Sequence, residues 1–164
     1  RVVLQDFTGV PLLADLAEMV FTSAGLRVAR NRPYAGGFCT RTYGRPQHGV
    51  HALQRGDYIV FAFAGEAQAA YPGLHGQPFF KIVRGMPGDT VTVEGRIVAI
   101  NGEFVGQAKT HAYDRRPLDP IAPTVIPLGH VYVQGTSADS FDSRYRSSGL
   151  VSTADVVVRV RPLL

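Results

Sequence analysis

The segment FFKIVRGMPGDTVTVEGRIVAI, residues 79–100, decides the fold. It contains three runs rich in β-branched and aromatic residues, Phe79–Val83, Thr90–Val93 and Arg96–Ile100. The stretch Gly85-Met-Pro-Gly-Asp89 has the glycine and proline content of a turn, and Glu94-Gly95 has the length of a tight hairpin loop. The segment therefore predicts three consecutive strands, the last two of them paired as a hairpin.

Further strand candidates lie on both sides of this segment. Asp57–Phe63 is an apolar run upstream, and His130–Val133 and Val156–Val160 follow downstream. Two long connections join the runs, 64–77 and 107–127. No helical periodicity of convincing length accompanies them, so the C-terminal two-thirds of the chain is predicted to be mostly β.

The N-terminal third has a different character. Pro11 suits a first helical turn, apolar residues recur at helical spacing up to Val20, and Gly25 stands where a helix would end. Short strands are predicted at Arg1–Leu4 and Leu26–Ala29. We therefore predict an N-terminal α/β segment with one helix. The predicted boundary divides the chain into residues 1–54 and 55–164.

Composition excludes several classes of function. The chain has 164 residues with a net charge of +4, and its basic residues form no run and do not interleave with aromatics, which argues against nucleic-acid binding. One cysteine excludes an internal disulfide. No stretch approaches the roughly 18 apolar residues of a membrane span. The first residue is Arg1, which predicts a trimmed N-terminus.

Lys81 is the first candidate for chemistry, because it stands in the middle of an apolar strand. Its neighbours Phe79, Phe80, Ile82 and Val83 could desolvate the ammonium group and lower its pKa, as a general base near neutral pH requires. The alternative is a lysine on the outer face of an amphipathic strand. Periodicity alone leaves both interpretations open.

A second candidate is the polar segment Gly135–Tyr145. It places hydroxyl groups, carboxylates and an arginine within eleven residues. Ser140 and Asp142 could orient a lysine by hydrogen bonding, and Arg144 could pair with Asp142. The alternative is a polar surface loop without a catalytic role.

Together, these segments resemble type I signal peptidases, and the version Ser140-Phe-Asp-Ser-Arg-Tyr145 resembles the TraF-type branch of conjugative transfer. Two departures are Ile82, where the family often has Arg, and Gly135-Thr136 in place of Gly-Asp. The resemblance implies a small β-barrel, a Ser–Lys dyad with Lys81 as base supported by Ser140 and Asp142, and no cofactor. It also implies pilin-like peptide substrates and a location on the periplasmic side of a membrane.

The nucleophile that this resemblance implies is not recognisable. In the family, the nucleophilic serine lies in a Ser-Met-x-Pro or Ser-x-Pro context upstream of a strand that begins with Gly-Asp, which Gly56-Asp57 resembles here. The only serine before Gly56 is Ser23. Cys39 lies at a suitable distance, but Thr-Arg-Thr-Tyr follows it rather than the proline and glycine pattern. We therefore expect an inactive peptidase domain.

Residues 1–54 resemble another family, the N-formylglutamate amidohydrolases. The resemblance rests on Asn31-Arg-Pro-Tyr-Ala-Gly-Gly-Phe38 and on Gly49-Val-His-Ala-Leu-Gln54. It implies that Arg32 or Arg45 could bind a substrate carboxylate. The family's metal-binding set is absent, and His48 and His51 lack a third ligand nearby, so no metal is expected.

The two resemblances together predict a chimeric chain. Three functions remain open at this stage: a peptidase, a non-catalytic β-domain, and a binder of small acids. A homodimer paired through an exposed strand edge is also predicted.

Overall fold

The computed structural model describes residues 2–3, 18–22, 25–29, 52–112 and 114–160, the first three ranges as backbone only. The chain is mostly β, as predicted. In chain order the strands are β1 (Val2–Val3), β2 (Glu18–Thr22), β3 (Gly25–Ala29), β4 (Tyr58–Ala62), β5 (Pro78–Gly85), β6 (Thr90–Glu94), β7 (Ile97–Ile100), β8 (Glu103–Gln107), β9 (Thr124–Val125), β10 (His130–Gln134), β11 (Val151–Ser152) and β12 (Val156–Val160).

Helical structure is confined to single turns in the part of the chain that the structure describes. The turns are of the 3-10 type, at Glu66–Ala69, Pro72–Leu74 and Thr153–Asp155. None of the helices in the described ranges has the length and apolar composition needed to cross a membrane.

The N-terminal prediction needs one correction. Met19 and Val20, assigned to the end of the predicted helix, lie in β2, and Gly25 begins β3 rather than ending a helix. The run Met-Val-Phe-Thr is rich in residues that favour strands, and a short apolar run cannot distinguish the two structures by periodicity. The rest of the predicted helix lies outside the described residues, and the strand predicted at Leu26–Ala29 is confirmed.

A five-stranded antiparallel sheet forms the centre of the described structure, in the order β11-β10-β5-β4-β12. Strand β5 is its middle strand, and the predicted runs at residues 57–63, 79–83, 130–133 and 156–160 all belong to it. One face packs into a core that contains Ile59, Phe63, Val83 and Val133. This face carries the candidate site described below.

A smaller four-stranded sheet continues from β5, in the order β8-β7-β6-β9. The predicted hairpin is confirmed, with Glu94 opposite Ile97 and Gly95 at a φ of 61° in the turn. Strand β9 lies inside the long connection predicted at residues 107–127. Tyr132 of β10 packs with residues of this sheet in a second core. The two cores together hold the hairpins against the end of the central sheet.

Asp89 closes the turn between β5 and β6. Its carboxylate accepts hydrogen bonds from the Met86 backbone N–H at 2.6 Å, from Asn101 Nδ2 at 2.7 Å and from Arg55 Nη2 at 2.7 Å. Burial raises the pKa of Asp89, but the combined effect of these hydrogen bonds in the opposite direction is larger. The net pKa therefore lies below its ordinary value. Asp89 therefore connects its own turn to Asn101, which follows β7, and to Arg55, which precedes β4.

Candidate active site

Lys81 points into the core face of the central sheet. It pairs with Ile59 of β4, and side chains of directly paired residues lie on the same face. The alternating residues Phe79 and Val83 of β5 belong to the same core. Lys81 itself is only 4% exposed. The interpretation of Lys81 as an outward-facing strand lysine is therefore wrong.

The side chain of Lys81 ends at Ser140. Nζ donates a hydrogen bond to Ser140 Oγ at 2.8 Å, and Ser140 is fully buried. The Phe79 ring lies beside the amine, with its centroid 5.6 Å from Nζ. The structure thus brings together two of the three residues predicted for the site, although 59 positions separate them in the sequence.

Gly135 provides the space for this contact. Gln134, the last residue of β10, pairs with Ile82 of β5, so Gly135 lies next to Lys81 just beyond the end of β10. A Cβ at this position would lie 2.1 Å from Ser140 Oγ and 3.6 Å from Lys81 Nζ. Any side chain here would displace Ser140. The only sign of this role in the sequence is a glycine directly after a predicted strand.

Asp142, the third predicted residue, binds within its own loop. Its Oδ2 accepts a hydrogen bond from the Gly135 backbone N–H at 2.9 Å, and its Oδ1 accepts one from Arg144 Nε at 2.9 Å. The predicted pair between Asp142 and Arg144 is confirmed, with both side chains buried. The carboxylate thus connects the start of the loop, next to Lys81, to its end.

Arg144 completes the loop by satisfying its carbonyl groups. Its guanidinium donates to the carbonyl oxygens of Ser140 at 2.8 Å, Ala138 at 3.1 Å and Ser137 at 3.2 Å. Burial lowers the pKa of Arg144, but the hydrogen bonds and the charge of Asp142 raise it by more. The net pKa therefore lies above its ordinary value. Residues 140–144 are therefore buried and bonded within the loop rather than lying on a polar surface, whereas Thr136 and Ala138 of the same segment are exposed.

Tyr132 adds an unusual polar group near this loop. Its side chain is fully buried, and its hydroxyl has no hydrogen-bond partner among the described residues. Burial raises the pKa of Tyr132 well above its ordinary range, and the charge of Asp142 raises it further. Sequence reasoning gave no indication of this residue, because a tyrosine in an apolar strand is unremarkable.

The remaining predicted site residues lie outside the described residues. They are Ser23, Arg32, Cys39, Arg45, His48 and His51. Within the described ranges, no group of three or more His, Cys, Asp or Glu side chains is arranged to hold a metal ion. The expected lack of an upstream nucleophile and the assignment of Arg32 or Arg45 to a substrate carboxylate therefore stay predictions.

Two known proteins are similar to parts of this chain. The conjugal transfer protein TraF of Agrobacterium fabrum is 35% identical over 91 residues, which cover 52% of this chain and 51% of that protein. The chain thus spans about half the length of this curated relative. A signal peptidase I from Enterococcus faecalis V583 has a crystal structure that aligns with a TM-score of 0.41 at 24% identity, covering 67% of this chain and 97% of the other.

The family comparison covers most of the sequence. Residues 22–164 match the family described as signal peptidase, peptidase S26. This match begins inside the segment 1–54, and the comparisons give no support to the amidohydrolase resemblance or to a chimeric origin. The match spans well over half of the chain, so this protein belongs to the signal peptidase family, peptidase S26.

Proposed function

We propose that this chain binds peptides as a serine/lysine-type peptidase domain, with Lys81 as its general base and Ser140 as the residue that orients the base. The observation that carries the proposal is the buried hydrogen bond of 2.8 Å between Lys81 Nζ and Ser140 Oγ. A general base needs a fixed position within reach of the proton that it takes. The loop around Ser140 supplies such a fixed position.

Burial gives Lys81 a chemical reason to act as a base. An apolar environment disfavours the charged ammonium group, and a neutral amine can accept a proton from a nucleophilic hydroxyl or thiol. Ser140 can remain bonded to the amine throughout, since a hydroxyl both donates and accepts. Asp142 supports the arrangement indirectly through Gly135 and Arg144.

The nucleophile is the second part of the proposal. Upstream of Gly56 the sequence offers Ser23 and Cys39, and neither has the proline and glycine context of a signal-peptidase nucleophile. We propose that this chain keeps the base and the peptide-binding surface but does not cleave. By lineage, the polypeptides that it would bind are exported, pilin-like chains of the kind that active members of the family cleave after small residues on the periplasmic side of a membrane.

The state of Lys81 can be measured directly. The chain contains two lysines, Lys81 and Lys109, so selective ¹³C-lysine labelling gives two ε-carbon signals, which a Lys109→Arg variant assigns. We expect the Lys81 signal to titrate below the ordinary lysine value of about 10.4. A Lys81 signal that titrates at or above this value would contradict the role of general base.

Cleavage is tested separately, with a pilin-like peptide that contains Ala-x-Ala, followed by mass spectrometry. We expect the peptide to stay intact with the natural chain. Cleavage by the natural chain that disappears in the Lys81→Met variant would overturn the proposed inactivity. If cleavage also disappears in Cys39→Ala but persists in Ser23→Ala, Cys39 is the nucleophile. Homodimerisation stays a prediction, which light scattering tests.

A further inference from the structure

A groove of about 720 Å³ lies beside the loop that holds Ser140. One wall is strand β8 with the residues that follow it, and the other is the segment from Gln134 to Ala138. Lys81 and Ser140 do not line the groove, but Gly135 does, and Gly135 adjoins both of them. The volume lies within the range of ligand clefts, and the groove reaches the edge of the candidate active site.

Strand β8 is an edge strand of its sheet. It pairs with β7 on one side, and no strand in the described ranges pairs with its other side. One backbone acceptor of β8, the Val105 carbonyl, is occupied by a hydrogen bond from Gln134 Nε2 at 2.6 Å, and Phe104 beside it is 69% exposed. An unpaired strand edge next to a groove is the arrangement that binds an extended peptide as an added strand.

The side chains that line the groove favour an acidic occupant. Arg96, Lys109 and Arg144 contribute positive charge, and none of the described lining residues is acidic. Asp142 neutralises Arg144, and Asp139 pairs with Lys109 at the surface. Arg96 instead donates to backbone carbonyls, among them Ala108 O at 3.0 Å, and has no ion pair within the described ranges. One positive charge of the groove is thus left without a carboxylate.

We propose that this groove binds an extended peptide segment that carries an acidic side chain, paired with the outer edge of β8. The segment is part of the polypeptide that the domain recognises, because the groove ends at Gly135 beside Lys81. This inference rests on the proposed peptide-binding function and adds a position and a charge preference to it. Phe104 supplies an apolar contact, and Arg96 supplies the charge.

Fluorescence anisotropy tests the inference with two labelled peptides, Ser-Val-Glu-Val-Glu-Thr-Val-Ser and the same peptide with Lys in place of Glu. We expect the acidic peptide to bind at least about ten-fold more tightly, a difference of about 1.4 kcal/mol, because a glutamate side chain can pair with Arg96 and a lysine cannot. Phe104→Asp should weaken its binding by a similar factor. Leu128→Asp is the matched control, because Leu128 is an exposed apolar residue that does not line the groove.

Equal affinities of the two peptides for the natural chain, or unchanged binding by Phe104→Asp, would overturn the inference. So would equal weakening by Leu128→Asp, because the effect would then come from surface charge in general. The readout is binding alone, whereas the titration of Lys81 tests the general base. Failure of the groove to bind and failure of Lys81 as a base are therefore separate results.

Discussion

The loop at residues 135–144 and the turn at residues 85–89 are both motif segments, and each is built around an aspartate bonded to an arginine. In the loop, Asp142 and Arg144 are almost fully buried, with side-chain exposures of 0% and 2%. In the turn, Asp89 and Arg55 are 13% and 49% exposed. The same pair of residue types thus acts in two environments, one with little access to water and one open to it.

The difference shows what each motif does. The loop holds Ser140 against Lys81. If either Asp142 or Arg144 is removed, water cannot reach the buried charge that remains and take the place of its partner. The turn connects β5, the hairpin and residue 55 at the surface, where water can replace a lost hydrogen bond. The motif residues of this chain therefore divide into those that position Lys81 and Ser140 and those that position strands.

The largest expected effect comes from Arg144→Met. The change leaves the buried carboxylate of Asp142 without its counter-charge and leaves three loop carbonyls without their donor. We expect a loss of about 3–5 kcal/mol in the free energy of unfolding, measured by urea denaturation. Adding Asp142→Asn should restore part of this loss. A loss below about 1 kcal/mol for Arg144→Met would show that the loop behaves like the turn.

Gly135→Ala should have the next largest effect, because the new Cβ would lie within the space of Ser140 Oγ. We expect a loss of about 1–3 kcal/mol in unfolding free energy and a shift of the Lys81 ε-carbon signal, as Ser140 moves away. Gly73→Ala is the matched control, since a Cβ at Gly73 meets no atom within 4 Å. Equal effects of the two changes would contradict the steric role of Gly135.

Asp89→Asn tests the turn through its pH dependence. The hydrogen bonds of the folded state hold the pKa of Asp89 below its ordinary value, so its contribution is present above about pH 4 and is lost as the pH falls through the lower folded pKa. The asparagine variant should be less stable by about 1 kcal/mol at pH 7, with a smaller difference at pH 3. Urea midpoints at both pH values measure this, and a constant difference would contradict the assignment.

The sequence predicted most of the strands because turn glycines separate runs of alternating or apolar residues. It also predicted the contact partner of Lys81, because the resemblance connected two distant segments. It could not predict that Lys81 points inward, since the run Phe79–Val83 is apolar on both faces. The role of Gly135 and the groove beside β8 depend on how two sheets pack, which local patterns do not specify.

Arg55→Met is expected to have the smallest effect and gives the comparison its sharpest form. It removes the arginine partner of Asp89, as Arg144→Met removes that of Asp142, but Arg55 is half exposed and Asp89 keeps its bonds to Met86 and Asn101. We expect a loss of about 0–1 kcal/mol in unfolding free energy, reduced further at 0.5 M salt. A loss as large as that of Arg144→Met would mean that burial does not separate the two pairs. The division between a motif that positions Lys81 and a motif that positions strands would then have to rest on position alone.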